Sequence, residues 1–153
     1  MSNITETTKS YYDSTDADEF YHTIWGGEDI HVGIYERPED TILDASHRTV
    51  QKMESLLPEI TEDTKILDMG AGYGGAARYL AKKYGCHVTC FNLSDTENKR
   101  NIEKNDEAGL DDKIEVIGGN FEKMPFDDGT FDIVWSEDSF LHSGNKAAAF
   151  KEA

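Results

Sequence analysis

Cysteine and proline are scarce in this chain, and the scarcity of cysteine excludes a disulfide framework. Of the 153 residues, 2 are cysteine and 3 are proline. Along a strand, at roughly 3.3 Å per residue, Cys86 and Cys90 would lie about 13 Å apart, which is too far for a disulfide. No set of metal-ligating residues accompanies them, so no metal is expected. We interpret both as buried thiols of a protein in a reducing, cytoplasmic setting.

Basic residues and long apolar runs are also lacking. The chain has 15 Lys and Arg against 31 Asp and Glu, which gives a formal net charge of −16. Because such a field repels phosphate backbones, we expect no nucleic-acid partner. No apolar run approaches the roughly 20 residues that span a bilayer, and the N-terminus is polar, so neither a membrane anchor nor a signal peptide is expected. The composition predicts one folded domain with its own core.

The first 60 residues have a helical pattern interrupted by one loop. Residues 5–23 are predicted to form one polar amphipathic helix, and residues 25–36, which contain three glycines, a loop. A second helix is predicted from 41 to 57, where Asp40 is a suitable cap and apolar residues recur at helical spacing. Residues 1–60 are therefore predicted to form a separate N-terminal helical unit.

From residue 61 onward, short apolar strands alternate with helices. The predicted strands are 65–69, 87–91, 114–118 and 131–135, and the predicted helices are 74–84, 95–108 and one that begins after Asn145. This alternation is typical of an α/β fold, a doubly wound parallel sheet with right-handed crossovers. The last helix has no C-terminal cap and four strands are few for such a sheet. We therefore expect residues 61–153 to be the N-terminal half of a longer domain, truncated after the fourth strand.

The stretch "ILDMGAGYGG" at 66–75 concentrates glycine where a predicted strand meets a predicted helix. Gly70, Ala71 and Gly72 leave backbone amides exposed at a helix N-terminus, where a ligand can approach closely. The spacing is G-x-G-x-G rather than the G-x-G-x-x-G of dinucleotide-binding proteins. Asp68, two residues before the first glycine, would repel a pyrophosphate. The stretch therefore indicates a binding site for a ligand without phosphate.

Two stretches together resemble the class I S-adenosylmethionine-dependent methyltransferases. "LDMGAGYGG" is similar to their first motif, and "GGNFEKMPFDDGTFDIVWSEDSFLH" at 118–142 is similar to the part that runs from their third strand through their fourth. The resemblance covers about residues 60–150 and implies a Rossmann-like fold with S-adenosyl-L-methionine as the cofactor. In that family the glycines make room for the amino-acid end and the ribose of a sulfonium compound.

The resemblance also implies which residues bind the cofactor. The cofactor-binding residues would come from the first motif, the second strand and the third and fourth strands. They would be Asp68, Gly70, Ala71, Gly72, Asn92, Leu93, Asn120, Phe121 and Ser136. Asn120 and Phe121 would flank the adenine, although Phe121 also fits an ordinary core position. Asn92 departs from the family pattern, in which an acid usually holds the ribose hydroxyls. We therefore expect Asn92→Asp to keep or improve cofactor affinity.

The segment "DEFYHTIWGGEDIHVGIYE" before the core is similar to that of methyltransferases that convert sarcosine and dimethylglycine to betaine. In this group residues 1–60 would form a lid over the cofactor. Tyr21, Trp25 and His31 would then line its methionine end, and Gly33 would let the loop pass close. A packing role for Trp25 and a surface or core position for His31 remain open.

The acceptor in such a reaction is a small amine, which must lose its proton before it can attack. His142 follows the fourth strand and is the best candidate base, because its unperturbed pKa is about 6.5. Asp138 would orient His142 or steady the charge that develops on nitrogen. No arginine that could bind the carboxylate of the substrate is evident in this part of the sequence. The sequence leaves the oligomeric state open.

Three alternatives remain from the sequence. The first is a methyltransferase with a carbon or oxygen acceptor of the tocopherol type. The second is a fragment that binds the cofactor without turnover, because we expect 153 residues of this fold to be catalytically poor by themselves. The third, a dinucleotide enzyme, is disfavoured by Asp68 and by the missing acid after the second strand.

Overall fold

Four parallel strands form the centre of the protein, in a computed structural model that describes residues 3–153. The strands are β1 (Lys65–Met69), β2 (His87–Asn92), β3 (Ile114–Gly118) and β4 (Ile133–Trp135). Their spatial order is β3-β2-β1-β4, and every pair is parallel. The chain moves outward from β1 on one side and returns to its other side with β4. This arrangement confirms the predicted doubly wound sheet and places a topological switch point at the carboxyl ends of β1 and β4.

Residues 3–153 also form six α-helices. They are α1 (Asn3–Tyr12), α2 (Thr15–Thr23), α3 (Ile42–Glu54), α4 (Gly75–Tyr84), α5 (Asp95–Glu107) and α6 (Lys146–Glu152), with a 3₁₀ turn at Phe140–His142. The predicted ends of α4 are confirmed by Gly74 and Gly85, which both adopt left-handed backbone angles. Asn145 caps α6, as the sequence predicts. Among the residues described, no helix is both long enough and apolar enough to cross a membrane.

The prediction of one continuous helix over residues 5–23 is wrong. The chain breaks after Tyr12, and Ser14 caps α2 by accepting a hydrogen bond from the amide of Ala17 at 3.3 Å. Asp13 turns toward α5, where its carboxylate accepts hydrogen bonds from Ser94 Oγ at 2.7 Å and Thr96 N at 3.2 Å. A capping residue and a long-range polar contact together outweigh helical continuity.

The predicted cap of α3 is also wrong by one residue. Thr41 rather than Asp40 is the N-cap, and it forms a capping box with Asp44. The carboxylate of Asp40 instead accepts hydrogen bonds from the amides of Glu36 and Arg37 and pairs with Arg48 at 2.6 Å. The helix ends at Glu54, three residues before the predicted end at 57.

The core lies on both faces of the sheet. One face packs against α3 and α4 and the other against aromatic residues after β3 and β4; central members are Val50, Ile66, Leu80, Val88 and Ile133 on the first face and Leu67, Met69 and Phe91 on the second. Cys86 and Cys90 are free and buried, which confirms that they are core thiols. Burial raises the pKa of the Cys86 thiol and so suppresses its reactivity.

The N-terminal segment, which comprises residues 3–35, lies across the carboxyl edge of the sheet and is attached by ion pairs. Lys9 pairs with Asp95 at 2.8 Å, and Asp18 pairs with Arg100. A further set of contacts joins Glu28 to Arg78 of α4 and Lys104 of α5, at 2.6 and 2.9 Å. Residues 1 and 2 of the predicted unit 1–60 lie outside the described residues.

Thr41→Ala is expected to lower the free energy of unfolding by about 1 kcal/mol, because it removes the side-chain oxygen that satisfies the Asp44 amide. Thr41→Ser keeps that oxygen and is expected to retain most of the stability. Urea denaturation of the three proteins measures the difference, and an equal loss in both variants would contradict the capping role.

Candidate functional site

A cavity opens at the carboxyl edge of the sheet, beneath the N-terminal segment. Its space is about 930 Å³, including the opening to solvent. The walls come from the turn after β1, the end of β2, the stretches that follow β3 and β4, and parts of the N-terminal segment. The cavity therefore lies at the switch point, where parallel α/β sheets bind their ligands.

The glycine turn after β1 forms one wall of this cavity. Gly70, Ala71 and Gly72 line it, and both glycines have positive φ angles, +83° and +53°. A Cβ atom on Gly70 would overlap the side chain of Ser139, and one on Gly72 would lie 2.8 Å from Ile30 Cδ1. Side chains are thus excluded here by neighbouring protein atoms as well as by the cavity that these residues face.

A cluster of ionisable side chains lies over the ends of β1 and β4. His31 Nε2 lies 2.6 Å from Glu137 Oε2 and 3.8 Å from Asp29 Oδ1. The contact with Glu137 is an ion pair without the alignment of a hydrogen bond. Asp68 lines the same cavity and is only 4% exposed. The structure thus places His31 and Asp68, both predicted to be site residues, in the cavity wall.

The cluster has strongly perturbed protonation equilibria. Burial opposes a charged imidazole, but Asp29 and Glu137 outweigh it and raise the pKa of His31 to about 10. Burial, reinforced by the charge of Glu137, raises the pKa of Asp68 to about 8. At neutral pH His31 is therefore positively charged, and Asp68 ionises only when a cation or a higher pH favours it.

The predicted ribose ligand Asn92 lines the cavity, but its amide already has a partner. Asn92 Nδ2 donates to Glu97 Oε2 at 2.9 Å, and Glu97 also lines the cavity while being only 4% exposed. Burial raises the pKa of Glu97 to about 7. Glu97 is a candidate site residue that sequence reasoning missed, because a glutamate three residues after the N-cap Ser94 resembles a capping box.

The remaining predicted residues on this side of the cavity are Leu93, Asn120 and Phe121, and all three line it. Asn120 Oδ1 accepts a hydrogen bond from the amide of Glu122 at 2.9 Å, which fixes the amide group. The ring of Phe121 also packs against Phe140, with the two centroids 5.3 Å apart. Phe121 therefore combines the two positions considered from the sequence, a cavity wall and the edge of the core.

His142 lies in the cavity wall and contacts Tyr12 of α1. Its Nε2 atom is 3.0 Å from the Tyr12 hydroxyl, and the rings meet edge to face with centroids 5.5 Å apart. Burial lowers the pKa of His142 and raises that of Tyr12 to about 12. The sequence identifies Tyr12 only as an aromatic anchor of a helix, so this pairing of residues 130 positions apart is a finding of the structure.

Asp138 also lines the cavity and connects it to the N-terminal segment. Its Oδ2 atom accepts a hydrogen bond from the amide of Val32 at 2.8 Å. Its φ angle is +46°, the single positive value for a non-glycine residue within 3–153. The strained backbone and the long-range bond together fix the position of this carboxylate.

Four predicted site residues do not line the cavity, and three of them contact residues that do. Tyr21 stacks on Tyr12, and Trp25 Nε1 donates to the carbonyl of His31 at 3.3 Å. Ser136 Oγ contacts Ser139 and donates to Met69 O at 2.8 Å. Gly33 lies against α3, where a Cβ atom would come within 2.5 Å of the backbone of Ala45, so the close approach is to a helix and not to a ligand.

Within residues 3–153, no group of three or more His, Cys, Asp or Glu could hold a metal ion.

A glycine turn that opens on a cavity at the switch point of a parallel sheet defines an α/β protein that binds a small ligand there. Residues 67–153 match a family model described as a methyltransferase domain, and the chain belongs to this family. The match confirms the resemblance carried by the glycine stretch and by residues 118–142.

Several relatives confirm the closer resemblance as well. The chain is 56% identical over 148 residues to a sarcosine/dimethylglycine N-methyltransferase of Halorhodospira halochloris, which covers 97% of this chain and 53% of that protein. It is 56% identical over 151 residues to a glycine/sarcosine/dimethylglycine N-methyltransferase of Actinopolyspora halophila, or 99% of this chain and 26% of that protein. A crystal structure assigned as a sarcosine dimethylglycine methyltransferase from Galdieria sulphuraria has a TM-score of 0.84 and 47% identity, and the match covers 90% of this chain and 54% of that chain. The chain thus spans about half, or less, of the length of these relatives.

His31→Gln is expected to destabilise the protein most at low pH. The folded-state pKa of His31, about 10, exceeds the usual 6.5, so its contribution is complete below pH 6.5 and is lost as the pH rises through 10. At pH 6 the variant leaves Asp29 and Glu137 without their cation, and we expect a loss of about 1–3 kcal/mol in the free energy of unfolding. Denaturation from pH 6 to pH 10 should show this difference shrinking.

His87→Gln is the matched control, because His87 is an exposed histidine at the opposite end of β2. Its difference from the parent protein is expected to stay small throughout the same pH range. A loss in His31→Gln that does not change with pH would contradict the ion pair.

Proposed function

We propose that this chain carries the cofactor-binding elements of an S-adenosylmethionine-dependent N-methyltransferase that acts on sarcosine or dimethylglycine, towards betaine. The observation that carries the proposal is that one cavity brings together the glycine turn, a buried acidic cluster and the Tyr12–His142 pair. The similarity to N-methyltransferases of sarcosine and dimethylglycine extends over almost the whole chain and supports the choice of acceptor. The low cysteine content is consistent with a cytoplasmic setting.

The donor set of the cavity fits a sulfonium cofactor better than a dinucleotide. The carboxylates of Asp29 and Glu137 would repel a pyrophosphate. Together with Asp68, which ionises when a cation favours it, they would favour a ligand that carries an ammonium and a sulfonium. On this proposal the turn at Gly70–Gly72 holds the methionine end, and Asn120 and Phe121 hold the adenine. When bound, the cofactor supplies an activated methyl group on its positive sulfur.

Glu97 is proposed to accept hydrogen bonds from the ribose hydroxyls, and Asn92 is proposed to position the Glu97 carboxylate. Asn92 Nδ2 donates a hydrogen bond to Oε2 of Glu97, which leaves Oε1 of Glu97 to accept a hydrogen bond from the ligand. An acid thus remains at the end of β2, although it comes from the first turn of α5 instead of from the strand. A hydrogen bond to a charged group contributes roughly 1.5–3 kcal/mol, more than a bond to a neutral amide.

The Tyr12–His142 pair is proposed to take the proton of the amine. A protonated sarcosine or dimethylglycine has no lone pair for attack, so its proton must leave first. Burial lowers the pKa of His142, which favours the neutral imidazole. Nε2 can therefore accept the Tyr12 proton while the Tyr12 oxygen accepts the proton of the ammonium. The amine then attacks with its free lone pair. Asp138 stays bonded to Val32 and contributes negative charge near the acceptor.

A carbon or oxygen acceptor of the tocopherol type fits this wall less well. Such acceptors are largely apolar, whereas the wall near His142 carries Tyr12, Glu122 and Asp138. A polar, acidic wall favours a small cationic amine.

His142→Ala is expected to lower turnover about a hundredfold, because general-base catalysis contributes roughly 10²–10⁴. Cofactor affinity should change little. The acid limb of the turnover–pH profile, which lies below pH 6.5 while His142 is the base, should move to higher pH.

The measurement is methyl transfer to sarcosine and to dimethylglycine in the whole protein, with Tyr12→Phe as the companion variant. Unchanged turnover of His142→Ala from pH 6 to pH 9 would remove the pair from the mechanism, and transfer to a phenolic acceptor alone would overturn the choice of substrate.

The contact between Asn92 and Glu97 leads us to expect the opposite outcome for Asn92→Asp. A carboxylate at this position would lie about 3 Å from that of Glu97, and two buried like charges destabilise each other. We expect Asn92→Asp, like Glu97→Gln, to weaken binding of S-adenosylmethionine and S-adenosylhomocysteine alike, by about tenfold. Isothermal titration measures both affinities. Tighter binding by Asn92→Asp would show that residue 92 contacts the ribose directly.

A further inference from the structure

The acidic cluster in the cavity contains a carboxylate that the fold satisfies only in part. Glu137, which follows β4, has a side chain that is only 7% exposed. Its Oε2 atom forms an ion pair with His31 Nε2 at 2.6 Å that lacks the alignment of a hydrogen bond, and its Oε1 atom has no partner among the described residues. Buried polar atoms are nearly always paired in folded proteins, so these atoms indicate a ligand that approaches from the cavity.

The cluster carries more negative than positive charge. Asp29 and Glu137 contribute two carboxylates against the one cation of His31, and Asp68 adds a third when a bound cation favours its ionised form. Asp29 also accepts a hydrogen bond from Ser46 Oγ at 3.2 Å and lies 3.5 Å from His47 Nε2. Asp68 has no such partner among the contacts of the described residues.

The other cations near the cavity are already neutralised. Lys9 lines the cavity, but its ammonium pairs with Asp13 at 3.0 Å and with Asp95 at 2.8 Å. Arg78 and Lys104 both bind Glu28. The cluster therefore faces the ligand with an uncompensated negative charge, in a site where low exposure to water weakens screening.

The cluster also lies at a defined end of the cavity. Asp68 is the penultimate residue of β1 and Glu137 follows β4, whereas Asn120 follows β3 at the other flank of the sheet. An elongated ligand whose base lies near Asn120 would therefore extend its opposite end toward Asp68 and Glu137. In S-adenosylmethionine that end contains the sulfonium and the amino acid.

We propose that the Asp29–His31–Asp68–Glu137 cluster makes the cavity bind the positively charged, methylated cofactor more tightly than its neutral product, with Glu137 as the carboxylate that discriminates. This inference rests on the proposed function. It assigns to the cluster a role in releasing the product and so in limiting product inhibition.

The chemistry of the reaction explains why charge can discriminate. In methyl transfer the lone pair of the amine forms a nitrogen–carbon bond while the sulfur–carbon bond breaks, and the electrons of that bond return to sulfur. The positive charge thus moves from sulfur to nitrogen. Once the methylated amine has left, S-adenosylhomocysteine differs from the cofactor by one methyl group and one positive charge. A fixed negative charge nearby weakens its binding relative to that of the cofactor.

The test compares three ligands by isothermal titration: S-adenosylmethionine, S-adenosylhomocysteine and sinefungin, which carries an amine where the product has a neutral thioether. The parent protein is expected to bind both charged ligands at least tenfold more tightly than S-adenosylhomocysteine. In Glu137→Gln the preference for S-adenosylmethionine should fall about tenfold, with little change for the product. Glu103→Gln, which removes the same charge from an exposed position of α5, should keep the preference of the parent.

Each contrary outcome has a distinct meaning. Equal weakening of S-adenosylmethionine and S-adenosylhomocysteine in Glu137→Gln would show that Glu137 holds the ammonium that both ligands share, and would overturn the inference. Equal affinity of the parent for sinefungin and S-adenosylhomocysteine would overturn it without any variant, so the result does not depend on the folding of Glu137→Gln. If the parent bound none of the three ligands, the proposed function itself would fail.

Discussion

Three segments of the chain meet at the end of β1 because Gly70 and Gly72 of the turn there have no side chains. Ser139, from the stretch after β4, occupies the space that a side chain on Gly70 would fill, and Ile30 of the N-terminal segment does the same at Gly72. Gly75 at the start of α4 leaves room for Asp29. The turn thus brings the loop that carries His31 and the loop that carries Glu137 to one point. The cavity and its charged cluster both depend on this close approach.

The way in which the N-terminal segment is attached follows from the same arrangement. Its contacts with α4 and α5 are largely ion pairs and hydrogen bonds, in which Lys9, Asp18 and Glu28 take part. The face of α5 beneath them is correspondingly polar, and Asn101 and Asn105 bind the buried Arg78. Buried charges add little net stability, because desolvation offsets much of their attraction. Their exact partners do, however, fix where the segment lies, and so they fix the position of the cavity wall.

Electrostatics connects the separate parts of the site. The cluster around His31, the Asn92–Glu97 pair and the Tyr12–His142 pair each hold a titratable group away from its usual pKa. Asp29 and Glu137 raise the pKa of His31 against the effect of burial, whereas burial raises the pKa of Glu97 and lowers that of His142. The first two present negative charge to a cationic ligand, and the third keeps a neutral imidazole available for a proton. A ligand without phosphate but with positive charge satisfies all three. The acidic composition of the chain is thus partly a property of the site as well as of the surface.

The sequence by itself determined the sheet, its strand order along the chain and the glycine turn, because these follow from local patterns: apolar strands, glycines at left-handed positions and caps such as Asn145. The resemblance to the methyltransferase family also pointed to Asp68, Asn92 and Asn120, and the unperturbed pKa of histidine pointed to His142 as a base. Tertiary structure alone decided the partners of these residues. Glu97 binds Asn92, Tyr12 binds His142 and Val32 binds Asp138 through contacts that no local pattern encodes. The break after Tyr12 has the same origin, since Asp13 leaves the helix to bind Ser94 and Thr96. Local periodicity reports which face of an element is buried, but not which side chains from distant parts of the chain will meet there.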